Sequence, residues 1–247
     1  MNNLRLRYGL AISVVILSTI LPTLPAKAWD SQHWNPTHPT HSYLTEWAIA
    51  QLQSQSPELQ QYKTQIVEGA NTELHELSVS GTKYGVDLNA KRIQHKGTNP
   101  GCDDIQGWWQ DSLAAYRNGN KAQAYFVTGI MLHMIEDMGV PAHANNVIHQ
   151  GNLKEFDNFE FMGLSNWKPS FANINRQDPG YAEPWQYYAF SKDWTHTDAP
   201  NYNNRNSFSK TWFFASGAER QLLSDRQGRT STVVKWALAS AVRAFGQ

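Results

Sequence analysis

The chain has 247 residues, 21 basic and 21 acidic side chains, 40% hydrophobic residues and one cysteine. That length can bury a real core as one domain or a tight pair, and the single Cys102 excludes an internal disulfide. With no excess of basic residues, the chain lacks the electrostatic footprint of a protein that grips nucleic acid through its phosphates.

Residues 1–28 read as a secretory leader. Arg5 and Arg7 give a basic start, Leu10 to Leu21 an apolar run, and Ala26-Lys27-Ala28 the small-x-small cleavage pattern. The run of about a dozen residues, followed by Pro22 and Pro25, is too short for an uncleaved anchor, since a span needs about 20. Cleavage makes Trp29 the first residue of a mature chain over 29–247. Removing Arg5, Arg7 and Lys27 from the 21 basic residues leaves 18 against 21 acidic ones. For an exported chain without a disulfide, bound metal is one way of tying the fold together.

The first helical pattern runs from His41 to Gln53, with Tyr43, Leu44, Trp47, Ala48 and Leu52 at three- and four-residue spacing. A second runs from Pro57 to Ala70. Residues 71–104 are rich in glycine, asparagine and short polar side chains and read as a long loop, a length that in compact domains usually serves function. Asp103 or Asp104 can cap the next helix, which carries Trp108, Trp109, Leu113 and Tyr116 and ends at Asn118-Gly119.

A helix from Lys121 onward follows, apolar nearly all round, with Ala122, Phe126, Gly129 and Ile130 on one stripe; that is the pattern of a helix inside a bundle. His133 and Asp137, four residues apart, project from one face and continue this stripe. Two ionisable groups are thus aimed at the core. A buried carboxylate is costly unless a cation pairs with it, and no lysine or arginine lies within a turn of Asp137. Pro141 should stop or kink the helix and let His143 swing back. These three residues alone fit a metal-ligand set, or a hydrogen-bonded His–Asp pair in a filled core with His143 on a surface loop, about equally well.

Residues 163–206 are aromatic and irregular apart from a short helix near Trp185–Phe190. Two amphipathic helices, near Phe208–Ser224 and Thr230–Phe245, finish the chain. No strand alternation is sustained, so the expected fold is all-α, a single-domain multi-helix bundle with long metal-binding loops. Among the remaining histidines, His41 stands out because it opens a helix close to the expected mature start, where a free α-amine and its carbonyl can also ligate a metal.

The spacing His133-x3-Asp137-x5-His143-Ala144-Asn145-Asn146, with Pro141 two before the last histidine, resembles the signature of the zinc-dependent phospholipase C family. The same superfamily includes the fungal single-strand-specific nucleases. The resemblance extends over nearly the whole mature chain and implies an exported, all-helical protein built around zinc, with an N-terminal tryptophan that binds the metal through its own amine and carbonyl. Trp29 matches that rule. By the same resemblance His41 joins Trp29 on one zinc, His95 shares a second with His133, and Asp137 bridges the two. His143 and Glu160 belong to a third site, and Leu223 onward to a closing helix that carries packing.

Two positions depart from the family pattern. Where the family has an aspartate as ligand and base after Gly69-Ala70, this chain has Leu74, and the neighbouring Glu73 is the chosen substitute beside Glu76. Phe156 stands where a histidine of the third site is expected, with His149 or Asp157 as substitutes or the third zinc weak or missing. The expected cofactor is therefore Zn2+, two ions with the third site incomplete, and the residues assigned to chemistry are Glu73 and Asp137. Two metals acidify a water and neutralise charge on a phosphoryl group, and Glu136 and Asn145 are candidates for orienting the ligand histidines, as much as for a surface charge and a helix-end amide. Ten tryptophans, among them Trp34, Trp108 and Trp109, suit a choline cage, base stacking or plain core. The acidic balance and absence of disulfides favour a phospholipid headgroup at a membrane surface, cleaved by a monomer. The alternatives are a zinc-dependent single-strand nuclease and a non-catalytic zinc-binding relative.

Overall fold

Asn120 starts the central helix. Its side chain accepts from the backbone N–H of Gln123 at 3.3 Å, and its amide donates back to the Gln123 side chain at 2.7 Å, a reciprocal cap. The preceding helix stops just upstream because Gly119 takes the left-handed conformation, with φ of 81°. The N–H groups of Asn120 and Gly119 then close on the carbonyls of Ala115 and Tyr116 at 2.9 and 3.0 Å, the paired bonds of a Schellman stop.

The computed structural model describes residues 40–72, 77–79, 82–84, 102–144, 174–198 and 217–247. In chain order the elements are α1 (Thr40–Leu52), α2 (Pro57–Gln61), α3 (Lys63–Ala70), β1 (Leu77–Val79), β2 (Thr82–Tyr84), α4 (Cys102–Arg117), α5 (Lys121–Asp137), α6 (Pro141–Ala144), α7 (Gln186–Asp198) and α8 (Gly217–Phe245). The fold is all-α. The two three-residue strands form one antiparallel hairpin, Leu77 opposite Tyr84, within the stretch expected to be loop throughout. No helix among the described residues is long and apolar enough to cross a membrane.

Helix α5 is the bundle's axis. From Ala124 to Glu136 nearly every side chain is buried, whereas Ala122, placed on the inward stripe by periodicity, is exposed. Helix α3 crosses it backbone to backbone. A Cβ on Gly69 would lie 2.1 Å from the Phe126 carbonyl oxygen, and one on Gly129 2.1 Å from that of Ile66. Only two glycines allow so close an approach.

Helix α1 packs Leu44, Ala48, Ile49 and Leu52 into the core and lies against α8, which also touches α5. The last helix is one element, not the expected pair. The stretch Asp225-Arg226-Gln227-Gly228 reads as a break on propensity, yet all four residues are buried within the helix. Packing there overrides the roughly 1 kcal/mol that a helical glycine costs. Conversely, the helix expected from Pro57 to Ala70 breaks at Tyr62, whose ring stacks on Tyr125 at 5.0 Å. The short helix near Trp185–Phe190 continues to Asp198.

Glu58 on α2 ties three elements together. It accepts from the hydroxyls of Tyr116 at 2.8 Å and Tyr125 at 3.0 Å, and from the Lys121 ammonium. Burial alone would raise its pKa, but the donors Lys121, Tyr116 and Tyr125 outweigh that and hold it below the usual carboxylate range. A carboxylate depressed on folding stabilises the protein above its unfolded pKa, about 4.3, and loses that contribution as pH falls through the lower folded value. With the side chain 28% exposed, the hydrogen bonds are worth about 1–2 kcal/mol. Glu58→Gln is expected to lower stability by that amount at pH 7 and by progressively less below about pH 4, measured by urea unfolding of both proteins at each pH. A deficit that persists undiminished at pH 2–3 would rule this account out.

Candidate metal centre

Helices α1 and α5 bring three of the expected ligands to one point. His41 comes from the first turn of α1, and His133 and Asp137 from the last turns of α5. Their ligating atoms all lie within 4.8 Å of one another, with both histidines buried. The imidazoles stack, centroids 4.1 Å apart and planes inclined by 26°.

Each ring is fixed through its Nδ1. That of His133 lies 2.7 Å from the Ala70 carbonyl oxygen; a carbonyl only accepts, so Nδ1 carries the proton and Nε2 of the neutral ring is a lone pair. That of His41 lies 2.6 Å from Glu136 Oε2, and an ionised carboxylate imposes the same tautomer. Both Nε2 atoms then face Asp137, His41 towards Oδ1 at 3.5 Å and His133 towards Oδ2 at 3.4 Å.

These separations exceed the 2.7–3.2 Å typical of N–H···O hydrogen bonds. They match the about 3.3–3.4 Å between two donors held at 2.0–2.1 Å on one tetrahedral ion. Each carboxylate oxygen also faces a different imidazole, which suits one carboxylate shared between two ions.

Charge favours the same reading. Burial pushes Asp137 up, but His133, then His143 and His41, outweigh it and hold the carboxyl well below the usual range, so it is ionised. Glu136 has no exposed surface. Burial pushes its pKa up against the lowering contacts of His41 and Thr45, whose hydroxyl donates to Oε1 at 2.7 Å. With neutral imidazoles, an ionised Asp137 leaves a negative charge at this largely desolvated site, which a divalent cation would offset. The group His41, His133 and Asp137 can hold a metal ion.

The remaining expected site residues divide in two. His143, on α6 and partly exposed, acts on the charge of Asp137 but does not belong to the three-residue cluster. Trp29, Glu73, His95 and Glu160 lie outside the described residues, as do the leader 1–28, Trp34, Leu74, Glu76, Asn145, His149, Phe156 and Asp157.

Two residues that serve the site were not singled out from the sequence. Thr45 is one helical turn after His41, so its face was readable; the Ala70 carbonyl is backbone and leaves no trace in sequence pattern. Trp109, for which a choline cage, base stacking and plain core were all open, is core, 1% exposed and 5.4 Å from the Phe245 ring. No family model matches the chain, and neither a curated protein nor a solved structure matches it.

Proposed function

We propose that this chain is an exported zinc-dependent phosphodiesterase, a phospholipase C-like hydrolase acting on a phospholipid headgroup ester. The observation that carries the reading is the convergence of two Nε2 atoms on the two oxygens of Asp137 at 3.4 and 3.5 Å. The sequence supports it independently, through the His133-Asp137-His143 spacing and a tryptophan directly after the leader's cleavage pattern.

In this reading His41, His133 and Asp137 hold the metal together with Trp29, His95 and Glu73, while His143 and Glu160 contribute to a third, weaker site. Imidazole and carboxylate donors suit zinc. When bound, paired divalent ions lower the pKa of water and neutralise charge on a phosphoryl group. The chain's own side chains do the rest. The Nδ1 contacts of His41 and His133 keep both Nε2 lone pairs aimed inward, and Asp137 fixes the spacing between them. Glu73 would take the proton of the attacking water as the phosphorus–oxygen ester bond breaks, and pass it to the departing alkoxide.

Purified protein beginning at Trp29 is expected to hold at least two zinc ions and to hydrolyse a chromogenic phosphocholine ester. Chelation should remove both properties and added zinc restore them. Metal without turnover on that ester or on single-stranded DNA would instead establish the non-catalytic reading that Leu74 and Phe156 favour. Cleavage of the DNA alone would make the chain a nuclease, and absence of metal would end the proposal.

A further inference from the structure

The two ligand histidines are backed by unlike groups. His133 donates to a peptide carbonyl, that of Ala70, at 2.7 Å. His41 donates to a side-chain carboxylate, Glu136, at 2.6 Å, and the other oxygen of that carboxylate is held by Thr45 at 2.7 Å. Glu136 comes from the same helix as Asp137 but points to the far side of the His41 ring, so Asp137 and Glu136 address opposite nitrogens of one imidazole.

A carbonyl fixes a tautomer and an orientation. A carboxylate does this too, and it also makes the imidazole more basic and adds a negative charge behind the ligand. In a desolvated site that charge is weakly screened. We infer that Glu136 is a positioning residue that makes the His41 side of Asp137 the tighter of two metal positions, so that the ions load in order, His41 side first and His133 side second. Thr45 belongs to the same device, because it keeps Glu136 from turning away from the ring.

This inference rests on the metal-binding reading of the site, and its test separates the two. Metal-free full-length mature protein is titrated with Zn2+ by calorimetry and with Co2+ by visible absorption. The wild type is expected to bind in two resolved steps. Glu136→Gln keeps the size of the side chain and one acceptor oxygen but removes the charge. It is expected to weaken the tighter step about 10–100-fold and to change the absorption spectrum of the first cobalt equivalent, leaving the second step within about twofold.

If Glu136→Gln weakens both steps alike, or neither, the ordering role is wrong although the metal reading stands. If the wild type binds no ion, the metal reading itself fails and this inference with it. Should Glu136→Gln not fold, Thr45→Val leaves the carboxylate in place and is expected to weaken the same single step severalfold; no change in that step would overturn the inference.

Discussion

On the proposed function, Asp137→Asn is expected to remove the paired metal and, with it, hydrolysis. Asparagine is isosteric, so the helix and its packing survive the change. What disappears is the charge and one of the two oxygens that face His41 Nε2 at 3.5 Å and His133 Nε2 at 3.4 Å. An amide nitrogen in place of one oxygen presents hydrogens to one of the imidazole lone pairs, and a neutral amide cannot serve as the shared anionic ligand. Bound zinc, measured by mass spectrometry after gel filtration, should fall from two ions to at most one per chain. The specificity constant on a phosphocholine ester should fall by more than about 10³-fold, the equivalent of roughly 4 kcal/mol of transition-state stabilisation. A variant that retains both ions would show that Asp137 is not the bridge and that its low pKa reflects only its histidine neighbours.

Gly129→Ala is expected to destabilise the fold severely, against the direction that helix propensity predicts. In an open helix the exchange gains about 1 kcal/mol. Here the new methyl would meet the Ile66 carbonyl oxygen at 2.1 Å, and the Ala70 nitrogen and Gly69 Cα at 2.9 Å. All three are backbone atoms, so no side chain can turn aside; the helices must separate. Overpacking of this kind costs about 1–3 kcal/mol and more where nothing yields, so a net loss of about 3 kcal/mol or more is expected against a typical total of about 5–15. Urea unfolding gives the stability, and zinc titration gives a second readout. Moving α3 outward withdraws the Ala70 carbonyl from His133 Nδ1, so metal affinity should fall although no ligand was touched. Unchanged or raised stability would mean that α3 and α5 do not cross at these glycines.

The contrast between local and distant information explains what could be read without coordinates. The α4–α5 junction was legible, because Asn118-Gly119-Asn120 carries its own stop and start within a few residues. The shared face of His133 and Asp137 was legible too, since a four-residue spacing on a helix is a local property. The pairing of His41 with Glu136 spans 95 residues, and no periodicity reports on it; only its place near the expected mature start and the family resemblance suggested that His41 is a ligand. Glu136 could equally have been a surface charge until α1 was seen to cover it. Propensity failed where packing outweighed it, at Gly228 inside α8 and at Tyr62, where the expected helix breaks and the ring stacks on Tyr125. The Ala70 carbonyl was out of reach of any residue-based reading, because every amino acid has one.

Helix α8 rests on both α1 and α5, the two helices that carry the candidate ligands, and it follows both of them in the chain. A chain in which α8 had not yet docked would contain His41, His133 and Asp137 and yet lack this brace on α1. Capture of an ion should therefore wait until α8 has docked on both helices.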